Sequence, residues 1–420
     1  MTYFIPYRDR NRQQWTEDCL RWANQFAYFS YHQNNGIAYP HDGFRHVLAV
    51  GSKSVFGTKN NYFEQLRHLA PGRWLFGFIG YDLKNEIEDL QSHNTDRLAF
   101  EPLAFFEPEH LIFFEDDGLR IVSEQPSLTE EIALTDKIDS ASIFTSPQAS
   151  ITREQYIDTV DRLRQHIEEG DCYEINFCQE FHGTVQNWNP VDTYLRLNTI
   201  SPKPFSCLQK FNHQFIVCAS PERFLKKEGT KIISQPIKGT RPRSANTTED
   251  QLLKEQLRTS EKEIAENMMI VDLVRNDLAR TSKPGTVKVE ELFGLYSFEQ
   301  VHQMISTVVA ELRSDVDSID AIKHAFPMGS MTGAPKVKVM QLIEQYENTK
   351  RGAFSGAAGY IEPNGDFDFN VLIRSLFVNA QSGVYSFQVG SAITYDADSA
   401  SEYEECLLKA SALHRILKGE

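Results

Sequence analysis

From residue 152 onward, apolar and polar positions alternate with two distinct periods. Thr152 and Gln155 form a capping box, after which Tyr156, Val160, Leu163 and Ile167 recur at helical spacing. "GDCYEINFCQEFHGTV" (170–185) alternates as a strand does, and "FIVCASPERFLKKEGTKIISQPIKGTRPR" (215–243) reads as a meander of strands. A long helical stretch is predicted over about 248–280, including "SEKEIAENMMIVDLVRNDLAR". "VHQMISTVVAEL" is strand-like, "PMGSMTGAPKVKVMQLIEQYE" a turn then a helix, and "GAAGYIEPNGDFDFNVLIRSLFV" a hairpin. "VYSFQVGSAITYD" reads as a strand then a turn, and a closing helix runs from Ser399 to about Leu417. Before residue 150, strand-like pieces such as "HVLAVG", "RWLFGFIGYDL" and "HLIFFEDDGLRIVS" alternate with polar loops, and 123–150 reads as a polar linker. Hairpins and helices without a βαβ rhythm predict an α+β fold of antiparallel sheets covered by helices.

Composition narrows the function. The chain has 420 residues, of which 43 are Lys or Arg and 58 Asp or Glu, a formal charge of −15. Such a surface repels phosphate backbones, so nucleic acid is not an expected partner; a local positive pocket for an anionic substrate is. No apolar run approaches the roughly 18 residues of a membrane span, and "MTYFIPYRDRNRQQW" lacks a signal-peptide core. Six scattered cysteines form no CxxC pair, which predicts reduced thiols and a cytoplasmic protein.

Candidate chemistry lies in four places. Glu263 and Glu266, three apart on a predicted helix, share one face, and Glu402 with Glu405 repeats the spacing on the closing helix. Ser399 and Glu402 could be only a capping box, which leaves Glu405 unexplained. Two such pairs would make a hard, oxygen-only site suited to Mg²⁺, with positions left for water and substrate. "PMGSMTGAPK" (327–336), with Pro335 in the first helical turn, exposes backbone N–H groups able to seat an anion. Arg374, His302 and Glu222 are polar residues on, or at the ends of, apolar strands. The fourth place is "SQPIKGTRPR" (234–243), where Lys238 enters a Gly-Thr turn at a position the alternation would bury. A lysine there can simply snorkel, its stem on apolar surface and its ammonium in water.

In one order, "SPERF", "PIKGTRPR", "AENMMIVDLVRND", "VHQMIS", "GSMTGAPK" and "EYEECLLKA" resemble the chorismate-utilising enzymes, among them the anthranilate, aminodeoxychorismate, isochorismate and salicylate synthases. The resemblance spans about 150–415. It implies a four-layer α/β/β/α arrangement of two packed antiparallel sheets, with 1–150 an N-terminal region completing the sheets and 151–417 the chorismate-binding catalytic region. By the same resemblance Glu266 and Glu405 are direct Mg²⁺ ligands and Glu263 and Glu402 support through water. Arg374 and the backbone around Gly390 hold the enolpyruvyl carboxylate, His302 sits beside the ring carboxylate and metal, and Thr240 and Ser330 line the pocket.

Anthranilate synthases read PIAGT where this chain has "PIKGT", and the lysine version resembles the aminodeoxychorismate synthase branch. The resemblance implies that the Lys238 amine attacks C2 of the ring as the 4-hydroxyl leaves, that ammonia then displaces it by adding at C4, and that Glu222 is the general acid. A nucleophilic lysine must be partly neutral, and burial or neighbouring cations, Arg241 and Arg243 being candidates, would favour that. In "CYEINF", Glu174 stands where ammonia-using relatives usually carry glutamine and water-using ones a lysine base. No Gly-x-Cys-x-Gly motif is present, so ammonia is expected from a separate glutamine amidotransferase subunit. The implied product is 4-amino-4-deoxychorismate, a precursor of 4-aminobenzoate and folate. The alternatives are an anthranilate synthase component I and, from another class, a non-catalytic chorismate-binding regulator, which all four metal carboxylates argue against.

Overall fold

The computed structural model describes residues 1–8, 10–57, 60–125, 128–133, 135 and 142–419. Its strands form two antiparallel sheets, of thirteen and ten strands among the described residues. Phenylalanines, valines and isoleucines on alternate positions face inward from both sheets, and Phe76, Phe78, Phe105, Ile216, Leu225, Ile305 and Phe369 form one apolar cluster between them. A second cluster lies on the outer side of the first sheet, beneath the helices Arg12–Ala23, Arg153–Glu168, Pro190–Ile200 and Ser399–Lys418. The helices Thr247–Arg258 and Glu261–Ala279 pack on strands Ile237–Pro242 and Val301–Glu311 of the second sheet. Helix, sheet, sheet and helix therefore stack as four layers, the α+β class expected.

Strands from the first 150 residues are built into both sheets: Tyr28–Gln33 pairs with Phe205–Phe211 in the first, and Leu75–Ile79 with Ala357–Ile361 in the second. The segment read as a linker lies partly outside the described residues (126–127, 134, 136–141). Within it Leu128–Ala133 is helical, and Gln148 and Ala149 pair with His182 and Phe181. The region 248–280 is two helices, not one: the first ends with Thr259 as its C-cap, and Ser260 caps the second by accepting the Glu263 amide. All six cysteines are buried and unpaired.

The meander at 214–242 changes sheets. Gln214–Ser220 belongs to the first sheet, while Arg223–Glu228, Lys231–Gln235 and Ile237–Pro242 belong to the second. Pro221 and Glu222 make the crossing. Proline cannot donate to a ladder, so pairing stops there. Arg223 anchors the far side of the crossing: fully buried, it grips both carboxylate oxygens of Asp368 at 2.9 and 3.0 Å and donates to the carbonyls of Pro40 and Asp42.

Candidate active site

Lys238 is aimed by a defect in its strand. Ile237 faces Ile305 and Thr240 faces Gln303, so Lys238 and Gly239 together oppose one residue. That is a β-bulge, and Gly239 at φ +89° supplies the backbone conformation it needs. The bulge turns Lys238 inward to 8% exposure, where Nζ donates to Glu174 Oε1 at 2.5 Å. Glu174 starts the strand Glu174–Gln186 of the first sheet, so the ion pair bridges the two sheets. Glu174 Oε2 is buried without a partner.

Burial pulls the Lys238 ammonium down, but Glu174, Glu266 and Glu222 together outweigh it and hold it above the ordinary lysine value. Arg241 and Arg243 do not help to neutralise it as expected. Arg241 is spent on Glu263 at 3.0 Å and Arg243 on Asp250 at 2.8 Å. The amine at rest is therefore a proton-bearing cation.

Glu222 is buried at the sheet crossing, its carbonyl accepting the Val371 amide at 3.0 Å. Burial pushes its carboxyl up to about 7, against smaller opposing effects of Ser330, Lys238 and the Ile237 amide. Ser330, on the short helical turn Gly329–Met331, lies beside it, its buried hydroxyl near enough to act on the carboxyl but outside hydrogen-bond geometry. Two buried polar atoms thus lie in the site without hydrogen-bond partners, Ser330 Oγ beside Glu222 and Glu174 Oε2 on the carboxylate that holds Lys238.

Of the four expected metal carboxylates, Glu263 is met by Arg241 and the other three by lysines. Lys262 Nζ lies 2.8 Å from Glu402 and 3.9 Å from Glu266, and it also feels Glu405. Lys409 pairs with Glu405 at 2.8 Å. Burial raises Glu266 to about 7, with Lys238 opposing, and its Oε1 is buried without a hydrogen bond. Lys409 holds the half-exposed Glu405 below the usual carboxylate range. No three of these groups bring oxygens within 4.8 Å of one another; among the described residues only His166, Glu169 and Asp171 do, and His166 there is engaged by Asp171 and Tyr346. The set still fits a hard divalent cation: all donors are oxygens, two carboxylates are buried, and one buried oxygen is unpartnered. Glu402 is not the capping-box partner that Ser399 suggested. Asp398 caps the closing helix, accepting the Ser401 amide at 2.8 Å, which leaves Glu402 free to face Lys262.

The other expected pocket residues divide. Arg374, at φ +53° before strand Ser375–Asn379, donates to the Lys409 carbonyl at 3.0 Å, and burial brings it down to about 10 with only Glu405 opposing. Lys203, buried and absent from the sequence reading, is lowered to about 8 by burial and then by Arg374. Two cations in one enclosed corner suit a carboxylate guest. Gly390 lies in the strand Val384–Ile393 and not in a turn. A side chain there would meet the Phe177 carbonyl at 2.2 Å, and its own carbonyl already accepts from Lys409 at 3.0 Å. His302 is not turned to the carboxylates: Asp250 and Ser297 take its two ring nitrogens at 3.0 and 2.9 Å. Thr240 is exposed. Pro335 is the N-cap of helix Lys336–Tyr346, one position before the expected first turn. A cleft of about 1170 Å³ opens elsewhere, between Arg12, Asn34, Lys226 and Asp366, and holds none of the cluster.

Lys262 had a readable signal, its i,i+4 spacing to Glu266; Lys203 had none. The partnership of Glu174 with Lys238 joins residues 64 apart in sequence, in different sheets.

The family profile described as chorismate binding enzyme matches residues 8–415. An Escherichia coli protein named aminodeoxychorismate synthase component 1 is 38% identical over 357 residues, covering 81% of this chain and 76% of its own. An anthranilate synthase component I-like protein of Synechocystis is 36% identical over 357 residues, covering 83% and 73% respectively. Among solved structures, anthranilate synthase component I of Streptococcus pneumoniae superposes with a TM-score of 0.78 at 25% identity, over 90% of this chain and 93% of that one. No helix of the described residues is long and apolar enough to cross a membrane.

Proposed function

Because the chain belongs to the chorismate-binding enzyme family, we propose that it is an aminodeoxychorismate synthase component I, which aminates chorismate with ammonia to 4-amino-4-deoxychorismate. The observation that carries this reading is Lys238, buried by a bulge and facing the carboxylate cluster instead of solvent. A snorkelling lysine would not abandon water for a pocket shared with Glu174, Glu222 and Glu266.

Glu222, a carboxylic acid raised by burial to about 7 and so still partly protonated near neutrality, is suited to hand a proton to the departing 4-hydroxyl. Lys238, once neutral, attacks ring C2 and is later displaced as ammonia adds at C4. Arg374 and Lys203 would hold the enolpyruvyl carboxylate, and Ser330 Oγ, unpartnered, is free to meet the substrate. Mg²⁺ held by Glu266 and Glu405, with Glu263 and Glu402 supporting, would fix the ring carboxylate and draw electron density from the ring. A cytoplasmic protein fed with ammonia by a separate glutamine amidotransferase subunit, in the route to 4-aminobenzoate and folate, is the setting this implies.

The test is the product. Incubation with chorismate, Mg²⁺ and ammonium should yield aminodeoxychorismate with its enolpyruvyl group retained. Anthranilate accompanied by free pyruvate would assign the chain to the alternative activity.

A further inference from the structure

The proton on Lys238 has to leave before its nitrogen can bond to carbon, since an ammonium has no lone pair. In the structure Nζ makes one hydrogen bond, to Glu174 Oε1 at 2.5 Å, short enough for direct transfer. The two other carboxylates that act on the amine are committed. Glu222 must itself carry a proton to release the hydroxyl in the same step, and Glu266 belongs to the metal set. Glu174 is 1% exposed, and its second oxygen, Oε2, is buried without a hydrogen-bond partner.

We propose that Glu174 is the base that takes the proton from Lys238. This deepens the reading above and rests on it, since it presumes that Lys238 is the nucleophile. The step balances. Glu174 carboxylate accepts one proton from the ammonium, and the freed amine forms an N–C2 bond. The two ring double bonds shift, the C4–O bond breaks, and the hydroxide leaves as water with the proton of Glu222. The site then holds a neutral Glu174, an anionic Glu222 and an alkylated ammonium at Lys238, the same total charge as before. A glutamine at 174 could hold Nζ in place but could not accept its proton.

The experiment follows the covalent step without ammonia. Wild-type protein is mixed with chorismate and Mg²⁺, quenched at intervals, and the mass of the peptide containing Lys238 is measured. Chorismate affinity is measured separately by calorimetry. The wild type should form the adduct, and Glu174→Gln should form it about 100-fold more slowly, the usual span of a general base, with affinity changed less than about threefold. Glu174→Asp, which keeps a carboxylate but lengthens the gap, should recover at least about tenfold over Gln. An adduct formed at wild-type speed by Glu174→Gln, or equal rates for Gln and Asp, would overturn the assignment. So would a loss of affinity that accounts for the lost rate, since that marks a positioning role. If the wild type forms no adduct at Lys238, the nucleophile reading itself fails, and this inference with it.

Discussion

At the scale of single residues the site works by opposed protonation. Lys238 is held charged above all by Glu174, while burial pushes the Glu222 carboxyl up to about 7. Removing the amine should separate binding from chemistry. Lys238→Ala should keep chorismate affinity within a few-fold by calorimetry while amination falls about 1000-fold, of the order expected when a covalent route is removed. A parallel loss of affinity would make the lysine a positioning group. The pH dependence follows from Glu222. Its carboxyl, raised to about 7, is protonated below that pH and loses its proton as pH climbs through it. At a constant free-ammonia concentration, kcat/KM should therefore fall about tenfold per pH unit above 7. A flat profile from pH 6 to 9 would remove Glu222 as the acid. Folding is linked in the same direction, since the native state keeps a proton that the unfolded chain releases from about 4.5 upward, so this group's contribution is full below that value and lost by about 7.

At the scale of elements, the bulge in Ile237–Pro242 decides where the lysine points. Gly239 at φ +89° has Leu257 and Glu263 oxygen only 2.9 and 3.0 Å from where a Cβ would sit. Gly239→Ala should cost about 1–3 kcal/mol in urea unfolding and lower amination more than tenfold, because relief of the strain straightens the strand. Wild-type turnover in that variant would show that the bulge does not aim Lys238. The neighbouring crossing depends on Arg223. Arg223→Met leaves Asp368 as an unpaired buried anion and should destabilise by about 3–5 kcal/mol. Local pattern made most of these elements legible. The Thr152–Gln155 box starts its helix, and the strands at 174–186 and 301–311 fall where alternation puts them. What escaped was set by competition or by distance. Asp398 outcompeted Ser399 for the cap, and the sheet change at Pro221 could not be seen in a run that alternates on both sides of it. Two residues 64 apart gave no local sign that they would meet.

At the scale of the whole molecule, an acidic chain concentrates carboxylates at one seam and keeps that seam folded with cations of its own. The resemblance named those carboxylates, and helical spacing pairs Lys262 with Glu266 and Lys409 with Glu405, but the meetings of Lys262 with Glu402 and of Arg241 with Glu263 depend on how separate elements pack. Glu263 is met by Arg241, Glu405 by Lys409, and Glu402 with Glu266 by Lys262. Glu402 is 2% exposed, so without Lys262 it would be a buried anion lacking its cation. Lys262 reaches it from another element with an ammonium that burial lowers and the carboxylates more than restore. A divalent ion held by these carboxylates would supply positive charge in place of Lys262, whose side chain already lies 44% in solvent and could turn away. Lys262→Met should then destabilise the metal-free protein by about 1–2 kcal/mol, less than a fully buried pair because solvent screens the half-exposed lysine, as read by urea unfolding in a chelator. Saturating Mg²⁺ should stabilise the variant more than the wild type, because ligand binding to the native state adds RT ln(1 + [Mg²⁺]/Kd) and no internal cation competes. Equal stability of variant and wild type in chelator, together with equal Mg²⁺ affinities, would mean that Lys262 neutralises nothing of consequence and that the cluster tolerates its own charge.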